Sequence, residues 1–133
     1  RMCIRDRADL SGSRLQGADF SGAFLHRTCL RGVVAAGSCW FQARLVEADF
    51  RSGLDQLTDL GRADLRQADL SFALLQGANL QGADLRGSCL YGANLSTADL
   101  RGADLQGCDL RDTQLSAALL ESALLEGARL PQA

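Results

Sequence analysis

A leucine returns at every fifth residue through the middle of the chain, and few folds can use such a spacing. From Leu60 to Leu110 the series runs unbroken through Leu65, Leu70, Leu75, Leu80, Leu85, Leu90, Leu95, Leu100 and Leu105. Two residues before each stands something small, from Thr58 and Ala63 to Ala103 and Cys108. An α-helix advances about 100° per residue, so leucines five apart would scatter around its cylinder and share no stripe. A straight strand alternates faces, so an odd repeat would throw successive leucines to opposite sides. The chain must therefore turn once per repeat. Within a repeat, the small residue and the leucine are two apart and point the same way, inward. The residues after them carry a corner, which explains glycines such as Gly77, Gly82 and Gly92.

Read in fives, residues 58–110 are TDLGR ADLRQ ADLSF ALLQG ANLQG ADLRG SCLYG ANLST ADLRG ADLQG CDL. This A(D/N)LxG tandem resembles the pentapeptide-repeat proteins, and the resemblance extends over nearly the whole chain. It implies an all-β fold, a right-handed quadrilateral parallel β-helix with four pentapeptides per coil. At twenty residues per coil, 133 residues make between six and seven coils. At ~4.8 Å per coil the rod is roughly 30 Å long. A single domain over 1–133 is expected.

Arg5 is a poor centre, so the first side reads as a frayed edge, with Cys3 at a small position. Leu10, Leu15, Phe20, Leu25 and Leu30 then keep the register, as do Trp40, Leu45 and Phe50. Two places break it, near 31–37 and 51–57, where Ala35 and Asp55 would be centres. A carboxylate inside such a core would cost several kcal/mol unless paired. A local slip avoids this by turning Val34 and Leu54 inward, with Gly32 and Ser52 as their small partners. The alternative keeps the register and leaves Val34, Leu54 and Leu74 as an outward apolar column. Near the other end, Leu119 and Leu124 stand where Asp or Asn stood before. Residues 116–133 are a candidate cap. A short helix over 116–127 competes there with continued β-helix, and the leucine register favours the latter.

Composition narrows function. Net charge is −2, and every basic residue is arginine or the single His26. This balance points to neither direct nucleic-acid binding nor an anionic membrane. No apolar run is long enough to span a bilayer, although peripheral association with a membrane complex stays open. The chain opens on Arg1 rather than methionine, as a processed or partial chain would. The five cysteines form no CxxC pair, and no two are twenty apart, so neither a disulfide nor a metal site is expected. Asp precedes the centre in many repeats, from Asp9 and Asp19 to Asp104 and Asp109, with Asn79 and Asn94 substituting. A short polar side chain beside a corner bonds the turn's own amides, so these carboxylates read as structural. His26 has no relay partner nearby, and no nucleophile–base pair is present. The expectation is a non-enzyme with no catalytic residues and no cofactor.

The leading expectation is a structural scaffold that binds a protein partner. Its candidate contact residues are Phe24, Phe41, Val46, Leu57 and Phe72, read as outward and apolar, joined by Val34, Leu54 and Leu74 where the register is kept. The resemblance implies an alternative: some pentapeptide-repeat proteins mimic B-form DNA, bind DNA gyrase and protect it from quinolones. Mimicry needs stripes of uncompensated negative charge, yet arginines flank the Asp64–Asp84–Asp104 column and Asp49. By family analogy alone, the setting is a bacterial cytoplasm or a plastid and its thylakoid.

Overall fold

The computed structural model describes residues 8–132; the expectations for Cys3 and Arg5 lie outside them. No helix occurs among the described residues, and no strand is longer than a single bridge. The chain is held by isolated parallel bridges between residues one round apart. They fall into four columns. The first joins Asp9, Cys29, Asp49, Leu74, Asn94 and Gln114, and the second Arg14, Val34, Asp59, Asn79, Asp99 and Leu119. The third joins Asp19, Cys39, Asp64, Asp84, Asp104 and Leu124, and the fourth Phe24, Arg44, Asp69, Cys89, Asp109 and Arg129. Each column is one wall of the winding.

The hydrogen bonds follow from the five-residue unit. A centre amide donates to the next round, as Leu95 does to the Gln114 carbonyl at 2.8 Å, and Gln114 donates back to Ala93 at 3.0 Å. Between walls a tight turn closes, as from the Ala98 amide to the Leu95 carbonyl at 3.0 Å. Backbone polar groups are thus paired although no strand exceeds one bridge. The corner residue adopts a left-handed conformation. Glycine fills many corners, but Phe72 at φ 59° and Thr97 at φ 61° adopt it too. Those side chains carry strain that glycine would not.

Inside, leucines and alanines from Leu30 to Leu110 form one continuous buried core. Trp40 and Phe50 are fully buried at leucine positions. The Trp40 indole stacks on Phe20 at 4.5 Å and meets the Phe50 ring edge-on at 5.6 Å. Its N–H donates to Ser38 Oγ at 2.6 Å, and that hydroxyl donates to the Ala35 carbonyl at 2.6 Å.

The register-keeping reading holds at the first break, and neither reading holds at the second. At the first, no slip occurs: Val33 and Ala35 are fully buried, and Val34 faces outward, half-buried, bridging Arg14 and Asp59. Ala35 is simply a small centre beside a large one, Trp40. At the second, the chain inserts a whole extra repeat. Val34 bridges Asp59 and Asp49 bridges Leu74, twenty-five residues apart (59 − 34 and 74 − 49) instead of twenty. Asp55 therefore lies in an exposed loop rather than in a wall, and Leu54 is wholly exposed instead of turned inward. Val34 and Leu74 sit on different walls, so the outward column does not form either. At the far end, bridges at Leu119, Leu124 and Arg129 carry the repeat through the candidate cap without a helix. Cys29 is disulfide-bonded. The spacing argument had tested only pairs stacked directly above one another, so it missed this bond.

Candidate functional site

The inserted loop is the largest departure from the repeat. Its base is tied by two hydroxyls. Ser52 Oγ donates to the Gly77 carbonyl at 2.9 Å and accepts the Thr58 amide at 3.1 Å. Thr58 Oγ1 donates to the Arg51 carbonyl at 3.0 Å and accepts the Gly32 amide at 2.8 Å. At the tip the Gly53 amide donates to the Gln56 carbonyl at 2.8 Å. The loop lies close over Gly32, whose added Cβ would come 3.2 Å from the Gln56 carbonyl oxygen at a φ of 66°. A fixed base thus presents Leu54, 101% exposed, and Leu57, 54% exposed. Between the loop and the first wall lies an open cavity of about 380 Å³, lined in part by Asp9, Cys29, Arg31, Leu54 and Asp55.

The other candidate contacts are dispersed. Phe24 lies on the fourth wall under the Arg44 guanidinium, 5.1 Å from its ring centre. Phe41 is half-buried beneath Arg66 at 4.9 Å. Val46 is half-buried, and its amide donates to His26 Nδ1 at 3.0 Å. His26 is thus engaged by backbone. Val34 lies on the second wall and Leu74 on the first. Phe72, at the corner leading to Leu74, meets Tyr91 edge-on at 5.5 Å, and Arg111 lies 5.5 Å over Tyr91. Leu54 and Leu57 share the inserted loop, and Phe72 and Leu74 are two residues apart along the chain. Arg44 leaves Phe24 75% exposed, whereas Phe41 beneath Arg66 is half-buried.

The carboxylates are bound to their own repeats. The Gly61 amide donates to Asp59 Oδ1 at 2.9 Å, closing a turn within the wall, and Asn79 accepts from Gln81 in the same way at 3.0 Å. Where an arginine follows by two, its side chain clamps the carboxylate as well. Arg66 Nε and Nη2 each lie 2.8 Å from Asp64, and Arg101 and Arg111 clamp Asp99 and Asp109 alike. On the third wall the pairs link upward. Arg66 lies 4.0 Å from Asp84, and Arg86 3.7 Å from Asp104. Hydrogen bonds from Arg66, Arg86 and Arg101 hold the carboxyls of Asp64, Asp84 and Asp99 below the usual range, and Arg111 draws Asp109 down to about 2. Burial pushes the Cys108 thiol up to about 11. Among the described residues no group of three His, Cys, Asp or Glu side chains is placed to share a metal ion. No described helix is long and apolar enough to cross a membrane.

A helix-free winding of five-residue sides, with small and large residues inward and Asp-closed turns outward, defines a pentapeptide-repeat solenoid. The chain belongs to the pentapeptide-repeat family: its profile, "Pentapeptide repeats", matches residues 6–34, 58–97, 78–116 and 98–133. The unmatched stretch holds Ala35, Trp40 and most of the inserted loop. Among solved structures, alr5209, a pentapeptide repeat protein from Nostoc Pcc 7120, is 37% identical over 67% of this chain and 74% of its own, with a TM-score of 0.58. A trypsin-treated form of QnrB1, a plasmid-mediated fluoroquinolone resistance protein, is 26% identical over 90% of this chain and 63% of its own, with a TM-score of 0.51. Rfr23, from the cyanobacterium Cyanothece 51142, is 26% identical over 94% of this chain and 84% of its own, at a TM-score of 0.45. No curated protein matches the chain.

Proposed function

We propose that the protein is a non-catalytic scaffold, one right-handed quadrilateral β-helix of between six and seven coils, whose inserted loop docks a protein partner. The observation that carries this is the loop itself. Its base is held by four hydrogen bonds through Ser52 and Thr58, and it displays Leu54 with no surface lost to the rest of the chain. An apolar anchor on a pre-organised support binds at low ordering cost, which a floppy loop would not. Asp55 beside it suits a partner pocket with an apolar floor and a basic rim. Because the insertion is one whole repeat, removing residues 53–57 keeps the five-residue phase and returns that round to twenty residues. The test is a pull-down from the native source comparing the full chain, Leu54→Glu and the 53–57 deletion. Shared loss of one specific partner in both variants supports the reading; unchanged capture sinks it.

The likeness to QnrB1 favours a second reading, a DNA mimic that binds DNA gyrase. The clamped carboxylates count against it, since Asp64, Asp84, Asp99 and Asp109 each carry an arginine counter-charge at 2.8 Å or less. A supercoiling assay with gyrase and a fluoroquinolone decides. Protection at micromolar protein would establish mimicry, and no effect would remove it.

A further inference from the structure

Every outward aromatic of the described residues borders the fourth wall. Phe24 lies on it, Phe41 stands at the corner leading to it, and Phe72 and Tyr91 stand at corners leading off it. The contacts between a guanidinium and an aromatic ring are here too: Arg44 over Phe24, Arg66 over Phe41 and Arg111 over Tyr91. Two of these arginines are otherwise engaged, since Arg66 clamps Asp64 and Arg111 clamps Asp109. Arg44 is not. Asp69 stands one round above it as its bridge partner, yet that carboxylate accepts the Ser71 amide at 3.1 Å and the Ser71 hydroxyl at 2.7 Å. Among the described residues the Arg44 guanidinium donates no hydrogen bond. Its contact with the ring leaves most of its five donors for a partner. Beside it opens a cavity of about 380 Å³, lined by Gly22, Gln42, Ala43, Arg44, Gln67 and Asp69. Gln42 Nε2 donates to Gln67 Oε1 at 3.0 Å, so the two carboxamides keep one oxygen and one amino group for another partner. One acceptor and one donor are what a peptide group needs.

We infer that this face takes an extended peptide of a partner protein, which lays an aspartate or glutamate on Arg44 and an adjacent aromatic or aliphatic side chain on Phe24. The ring is 75% exposed and Arg44 is exposed beside it, so both are open to such a segment. Charge selects the occupant. A carboxylate matches the fork of guanidinium donors with two parallel hydrogen bonds. A single-stranded nucleic acid could also stack a base on Phe24. It carries a charge at every step, however, and its further phosphates would meet Asp69 above Arg44 and Glu47 at the next corner. One carboxylate in an otherwise neutral segment meets the guanidinium and avoids both. The peptide's own backbone then finds the spare oxygen and amino group of Gln42 and Gln67. The inserted loop joins the first wall to the second, so this surface is separate from it and the inference does not rest on the loop.

The probe is a fluorescein-labelled glycine–serine peptide with one phenylalanine–aspartate–phenylalanine core, titrated with the full chain and followed by fluorescence anisotropy. It is expected to bind with a Kd below about 1 mM. The same peptide with asparagine in the core is expected to bind at least about tenfold more weakly. Arg44→Gln is expected to bind both peptides alike, at the weaker level, with the circular dichroism spectrum unchanged because the side chain is exposed. Phe24→Ala is expected to weaken both peptides and keep the preference for aspartate. Removing residues 53–57 is expected to leave binding as it was, so a failure here and a failure of the loop reading are told apart. No binding at about 1 mM, equal affinity for the two peptides, or a preference that survives Arg44→Gln would each overturn the inference. So would indifference to Phe24→Ala, or loss of binding with the loop. A labelled thymidine oligonucleotide bound more tightly than the peptide, or self-association of the chain that Arg44→Gln abolishes, would overturn the choice of a peptide.

Discussion

Replacing Trp40 by leucine tests how the core accommodates Ala35. Trp40 is fully buried and stacks on Phe20, while Ala35, the preceding centre, is a small residue where the repeat otherwise places a leucine or an aromatic. Removing a large buried aromatic down to alanine costs about 3–5 kcal/mol. Leucine retains part of the contact, so Trp40→Leu is expected to cost about 2 kcal/mol. Ala35→Leu alone forces a larger side chain against the indole and is expected to cost about 1–3 kcal/mol by overpacking. If the indole occupies the space that Ala35 vacates, the double variant restores an ordinary pair of centres and loses less than about 1 kcal/mol. The coupling would then be about 3 kcal/mol, well beyond the few tenths seen between independent sites. Urea unfolding of the four proteins, followed by circular dichroism, measures it. If the losses simply add, the two centres do not share volume and the account of Ala35 is wrong.

Gly92→Ala would bring a Cβ within 2.5 Å of the Phe72 ring, at a φ of 68°. It is expected to lower the urea midpoint, and to lower it less in a Phe72→Ala background, where only the backbone strain remains. Thr97→Gly relieves a left-handed β-branched residue at φ 61° and is expected to stabilise by about 1 kcal/mol. Acid should weaken the fold in a defined window. The Asp109 carboxyl titrates at about 2 when folded and at about 3.9 when unfolded. Below the unfolded value the unfolded chain binds the extra proton, so the stabilisation is complete above that pH and fades as pH falls toward the folded value. Thermal melts between these limits should show a midpoint falling with pH, and Asp109→Asn should flatten that fall. Cys108, buried with its thiol pushed up to about 11, should resist a thiol reagent at neutral pH until the chain unfolds; labelling at the rate of half-buried Cys39 or Cys89 would contradict this.

The period of five was enough to say which residues face inward, because no helix or straight strand can bury leucines at that spacing. It was not enough to interpret its own interruptions. Ala35 and Asp55 each put an unsuitable residue at a centre, so both looked like slips of one kind. At the first the register is kept, with a small buried centre one repeat before a buried tryptophan. The second is an insertion of one complete repeat, which leaves the phase unchanged on both sides and so hides in a five-residue register. The outward apolar residues were readable individually but not as a surface. Whether Phe41 lies bare or under Arg66 depends on stacking between rounds, and the insertion made those two residues, twenty-five apart, stack. Asp and Arg two apart were visible as pairs, while their extension from Asp64 to Asp104 depended on the spacing of successive rounds.

Single-residue bridges have a consequence for how the chain is made. No wall pairs within itself, so a round becomes stable only when the following twenty residues lie down on it. Closing a loop of that length costs only slightly more than closing a shorter one, and each finished round presents a ready template. The protein can therefore wind up in the order it leaves the ribosome, one lap at a time. The step most exposed to delay is the lap that must set five extra residues aside before it lands.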